Sequence, residues 1–179
     1  MTPQAAEANP RSAKTPMAFT SWEMVRGLLV AGLSFTIAVP TLAVLASFAY
    51  APGQLWFTLY VLFVGMLAVV PSTVLALISL TPAVRAIGRR LSSETRHWPH
   101  VLSYTALAVG ASIVASLFVG LAIGLTTGTG DPVAPLAFTV PVGIVLAPLA
   151  AGAAAFGWYS TMRHALADDR NAALQRTLR

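Results

Sequence analysis

VLSYTALAVGASIVASLFVGLAIGLT, residues 101–126, runs for 26 positions without an Asp, Glu, Lys, Arg or His. A hydrocarbon layer about 30 Å thick takes roughly 20 apolar helical residues to cross. The stretch therefore reads as a membrane span. Working outward from it, residues 27–50, 55–80 and about 132–160 form three further runs that also lack ionisable side chains. The whole chain of 179 residues is 56% hydrophobic and only 9% charged, with a mean hydropathy of +0.74. Soluble domains carry about a quarter charged residues, so lipid is the expected surrounding.

The segments between the runs set the orientation. Arg11, Lys14 and Arg26 precede the first run; Arg85, Arg89, Arg90 and Arg96 separate the second from the third; Arg163, Arg170, Arg176 and Arg179 follow the fourth. The other two connections hold no basic residue, and their one charge is Asp131. Basic residues near span ends mark the cytoplasmic side, so both termini and the middle loop are expected there. Trp22, Trp56, Trp98 and Trp158 each fall at a run's end, where an indole suits the headgroup layer. The expected fold is an all-α membrane protein: a four-transmembrane-helix bundle with both termini cytoplasmic and a short interfacial helix in the middle loop. Ser47-Phe48-Ala49 offers a cleavage site, but the run before it is too long for a signal peptide. An uncleaved span is expected.

The domain plan has three parts. Residues 1–19 read as a disordered cytoplasmic tail, residues 20–160 as the transmembrane domain, and residues 161–179 as a helical cytoplasmic tail rich in helix formers. Thr20 and Glu23 form a capping box at the start of the first helix, with Phe19 and Met24 placed as its hydrophobic staple. Asp131 and Pro132 read as N-cap and first residue of the fourth helix. Thr81 and Pro82 read the same way for the interfacial helix, which sets Arg85 and Arg89 near anionic headgroups.

Inside the spans two patterns stand out. Ala108, Ser112, Ser116, Gly120, Gly124 and Gly128 recur every four residues, on one helix face, and small side chains there let another helix approach closely. Gly143, Ala147, Ala151 and Ala155 offer a complementary surface on the fourth helix. Pro40, Pro71, Pro141 and Pro148 each remove a helical donor and bend their helix. Thr36, Thr41, Ser72 and Thr73 stand close enough to help satisfy the freed carbonyls. The prolines shape the bundle, or they open a mid-membrane cavity for a lipid or small apolar ligand.

Chemistry is constrained by what the spans omit. Coupled transporters, voltage sensors and intramembrane hydrolases place ionisable groups inside the bundle, and these spans have none. Ser112 has no partner at comparable depth to activate it. The HWPH stretch, residues 97–100, sets two histidines near Glu94, but Pro99 interrupts the helix face that a metal site would use, and structural zinc usually takes four ligands. Headgroup anchoring by Trp98 and the histidines is the expectation there. No enzyme activity, metal or cofactor is expected. The basic charges are dispersed and lack aromatic interleaving, so nucleic acid is not an expected partner.

What remains is a non-catalytic integral membrane protein, an accessory, assembly or regulatory subunit of a membrane complex. The alternative is an uncoupled small channel or carrier for a lipid or small apolar solute, including as a homo-oligomer. Expected partners are anionic headgroups on the cytoplasmic side and another membrane protein or a second copy. Arg85, Arg89, Arg90 and Trp98 are the candidate headgroup or partner contacts. The preference for arginine over lysine points to a bacterial plasma membrane.

Overall fold

The computed structural model describes residues 11, 15, 17–50, 53–126 and 133–177. These residues form four long helices and no sheet: α1 (Ser21–Tyr50), α2 (Leu55–Arg90), α3 (His97–Thr126) and α4 (Leu136–Thr177). Each is long and apolar enough to cross a membrane. The expected capping box opens α1: the Glu23 N–H donates to Thr20 Oγ1 at 3.1 Å, and the Thr20 N–H donates to Glu23 Oε2 at 2.8 Å. At the tip between α1 and α2, Gly53 takes φ +83°, a conformation that a Cβ would disfavour.

Two boundaries differ from the sequence reading. The fourth helix starts at Leu136 rather than near Pro132, after a turn at residues 133–135 whose carbonyls accept the N–H groups of Leu136, Ala137 and Phe138. Pro135 explains the delay, because a proline disfavours helical geometry in the residue before it and suits the first helical turn itself. Asp131, Pro132 and Gly128 lie outside the described residues. The middle loop holds no separate helix, because α2 continues through Thr81 and Pro82 to Arg90. Thr81 does not act as a cap there: its hydroxyl donates back to Leu77 O at 2.7 Å, within the same helix. Pro40, Pro71, Pro141 and Pro148 likewise sit inside unbroken helices. The Thr41 hydroxyl donates to Ile37 O at 2.7 Å, and Thr36 donates across to Thr73 Oγ1 at 3.3 Å, joining α1 to α2.

The helices pack in the order α2, α1, α4, α3. Neighbours in sequence form two antiparallel hairpins, and α1 against α4 joins them. Although a short loop connects α2 to α3, the two touch only sparsely. The bundle is therefore open along one side. Helix α4 is its centre: Ala147, Ala153, Trp158, Met162 and Ala165 are buried on it, whereas Pro40 is the buried apolar side chain described on α1. The outer faces remain apolar, with Leu33, Ile37, Phe63, Leu75, Phe118 and Val145 all exposed.

Small residues set the two closest seams. A Cβ on Gly120 would run into Thr139 and Leu136, and one on Gly143 would run into Ser116. Ser112 ties the same seam by donating to Gly143 O at 3.2 Å. Between α1 and α4, a Cβ on Gly157 would lie 2.6 Å from Gly27 O and 2.8 Å from Ala31 Cβ. Backbone there meets backbone, which no side-chain rotation can relieve.

Candidate functional site

The open side of the bundle leads into a cavity of about 510 Å³ lined by all four helices. That volume falls in the range of small-molecule sites, about 300–1,000 Å³. Its shape is unusual for one. Along α4 the lining runs from Phe138 and Thr139 to Trp158 and Thr161, a helical rise of about 35 Å. The cavity is a long slot, and it exists because α1 and α4 hold the two hairpins together while α2 and α3 diverge. Leu77, Val84, Leu107, Val119 and Leu146 are typical of its walls.

No charged residue or histidine among the described residues lines the slot. Most hydroxyls along it are already engaged: Thr73 with Thr36, Ser112 with Gly143 O, Ser116 with Ser112 O at 2.9 Å, and Thr161 with Gly157 O at 2.9 Å. Thr139 Oγ1 and Trp158 Nε1 differ, being buried without a hydrogen-bond partner. The slot thus offers extended apolar contact and few polar handles, suited to holding an apolar molecule.

Trp158 sits where α3 begins. His100, fully buried, stacks on its indole with ring centroids 5.6 Å apart and planes inclined by 23°, while His97 leans on the same ring at 5.9 Å. Both histidines therefore share a face, because Pro99 sits in the first turn of α3 and leaves the helix intact. The His100 Nε2 lies 3.2 Å from Glu94 O. The expected headgroup anchoring fails for His100 and for Trp158, which is 7% exposed. The reason is α4 itself, whose central position buries a ring that sequence depth places at a span end. Trp22, Trp56 and Trp98 are exposed.

Of the residues singled out in sequence, Ala108, Ser112 and Ser116 line the slot, and Ser112, Ser116 and Gly120 also meet α4. Gly124 is buried farther along α3. Arg85, Arg89, Arg90 and Trp98 are exposed and outside the slot. Pro40 is buried; Pro71, Pro141 and Pro148 are exposed, and none of the four lines the slot. On the α4 extension, Met162 is buried, Leu166 is exposed, and Ala173's side chain lies outside the described residues. His164 is exposed, with Nδ1 2.7 Å from Ser160 O.

Of the N-terminal tail read as disordered, residues 1–10, 12–14 and 16 lie outside the described residues, while Arg11 is described and paired. Its guanidinium pairs with Glu23 at 2.8 Å and with Asp169 at 2.6 Å. Nearby, the Met17 N–H donates to Ser92 O at 3.1 Å in the loop between α2 and α3. Arg11 and Met17 thus each tie onto this end of the bundle, and Phe19 and Met24 line the slot. Local sequence carries no trace of an ion pair spanning 158 positions. The α1–α4 seam of Gly27, Ala31, Gly157 and Thr161 was also missed, though its four-residue spacing on each helix was available as a signal. No protein-family model, curated protein or solved structure matches the chain.

Proposed function

We propose that this chain is a non-catalytic, four-span integral membrane protein that holds a long apolar molecule, such as a lipid chain, in the slot between α2 and α3. The carrying observation is the slot: about 510 Å³, free of charged lining among the described residues, and open where two helices joined by a short loop fail to pack. An aqueous protein would bury such surface. The apolar outer faces support a bilayer setting for the same reason, since large apolar patches are not left facing water.

In this reading the basic end faces the cytoplasm of a bacterial cell and the Gly53 tip faces outward. At about 54 Å, α2 exceeds the hydrocarbon thickness, so its last turns, with Arg85, Arg89 and Arg90, reach the anionic headgroup layer. Trp98 anchors beside them. The test is a photoactivatable fatty-chain probe in membranes containing the protein. Adducts on slot residues such as Ala76, Leu107 and Ala111 support the reading; adducts confined to outward residues such as Leu33 and Phe118 contradict it.

A second reading, an accessory subunit of a membrane complex, rests on a separate observation. Helix α4 continues to Thr177 with Leu166 and Leu174 exposed at 45% and 58% on a polar extension. Such a ridge suits a partner protein. Mild extraction that recovers a stoichiometric partner, lost on Leu166→Glu and Leu174→Glu, supports it; recovery of the chain alone contradicts it.

A further inference from the structure

Resting on the slot as the site of a long apolar ligand, we infer that the ligand carries an uncharged hydrogen-bond acceptor, an ester-type or quinone-type carbonyl, received by the Trp158 indole N–H. Trp158 lines the slot and is 7% exposed, yet its Nε1 has no partner. An indole nitrogen is a donor only. Leaving such a donor buried and unpaired costs about 1–3 kcal/mol, so an acceptor entering the slot gains by meeting it.

His100 stacks on the indole and His97 leans on it, so neither neighbour's ring supplies the N–H with an acceptor. His100 Nδ1 and Thr139 Oγ1 are also buried and unpartnered, but His100 Nδ1 is an acceptor when Nε2 donates to Glu94 O, and a hydroxyl rotates to suit whatever acceptor is near. Trp158 can only donate, and it selects. The two positions are 19 residues apart on α4, a rise of about 28 Å. A chain anchored at Trp158 therefore has most of a membrane span of apolar wall along which to extend.

Charge selects as strongly as the donor. A carboxylate or phosphate drawn into the slot would be desolvated without a cation, since no Arg, Lys or His among the described residues lines it, and an unpaired buried charge is strongly disfavoured. The accepted polar group is therefore neutral.

The test compares binding of methyl oleate, octadecane and oleate at alkaline pH to the full chain in detergent micelles, for the wild type and Trp158→Phe. Phenylalanine keeps an aromatic ring beside His100 and removes the donor. The expected result is methyl oleate binding about fivefold weaker to the variant, with octadecane unchanged. Oleate should bind the wild type more weakly than its methyl ester. Equal losses for ester and hydrocarbon, or no loss for either, would overturn the donor role, and oleate binding as well as the ester would overturn the neutral selection. If the wild type takes up neither neutral molecule, the slot reading itself fails, and this inference with it.

Should Trp158→Phe not fold, a variant that keeps Trp158 still reports. With Trp22, Trp56 and Trp98 replaced by Phe, the remaining indole N–H resonance should move downfield with methyl oleate and not with octadecane. An identical response to both would overturn the inference.

Discussion

The Arg11 guanidinium reaches Asp169, 158 positions along the chain, with Nε donating to Oδ2 at 2.6 Å. Its other nitrogens meet Glu23, so one planar group bridges the N-terminal segment, the first turn of α1 and the extension of α4. Charge-assisted, forked hydrogen bonds of this kind depend on guanidinium geometry. Arg11→Ala should lower stability by about 2 kcal/mol, read as thermal unfolding in detergent. Arg11→Lys should recover less than half of that loss, and full recovery by lysine would show that charge alone matters.

Gly157 packs against the backbone of α1 at Gly27, whereas Gly110 faces open space. Gly157→Ala should therefore cost about 2 kcal/mol through overpacking. Gly110→Ala should be neutral or stabilising by up to about 1 kcal/mol, since alanine favours helix. Similar behaviour of the two variants in thermal unfolding would argue against the α1–α4 seam.

Ser112 contributes one interhelical hydrogen bond, to Gly143 O. Such bonds average about 0.6 kcal/mol in membrane proteins. Ser112→Ala should thus cost less than about 1 kcal/mol, while retaining the close approach of α3 to α4. A loss of several kcal/mol would mean that the seam depends on polar bonding more than on small size.

Orientation is accessible because the chain has no cysteine. In intact cells, Gln54→Cys should react with a membrane-impermeant maleimide, while Ser93→Cys and Thr177→Cys should react only after lysis. The opposite pattern would reverse the assignment of the basic end to the cytoplasm.

The spans were legible because hydropathy over some 20 residues is a strong, local signal. The Thr20–Glu23 cap was legible for a similar reason, since both partners lie within one turn. The α3–α4 seam showed itself through a long four-residue period. The shorter Gly27–Ala31 and Gly157–Thr161 pairs are hidden in a chain so rich in small residues. Sequence assigns depth along a helix but not which side faces a neighbour, which is why Trp158 and His100 were placed at the surface. Arg11 was beyond reach because its partners are distant in sequence. The slot itself arises from a pairing that does not form, between α2 and α3, and no local pattern encodes an absent contact.

The central claim is that the slot holds a long apolar molecule. Native mass spectrometry after mild extraction tests it most directly, comparing the wild type with Ala76→Trp and Ala111→Trp, which fill the slot from α2 and from α3. The wild type should retain one lipid-sized adduct per chain, and both variants should lose it while keeping their helical content. A wild type free of adduct, or variants that retain it at wild-type occupancy, would contradict the account.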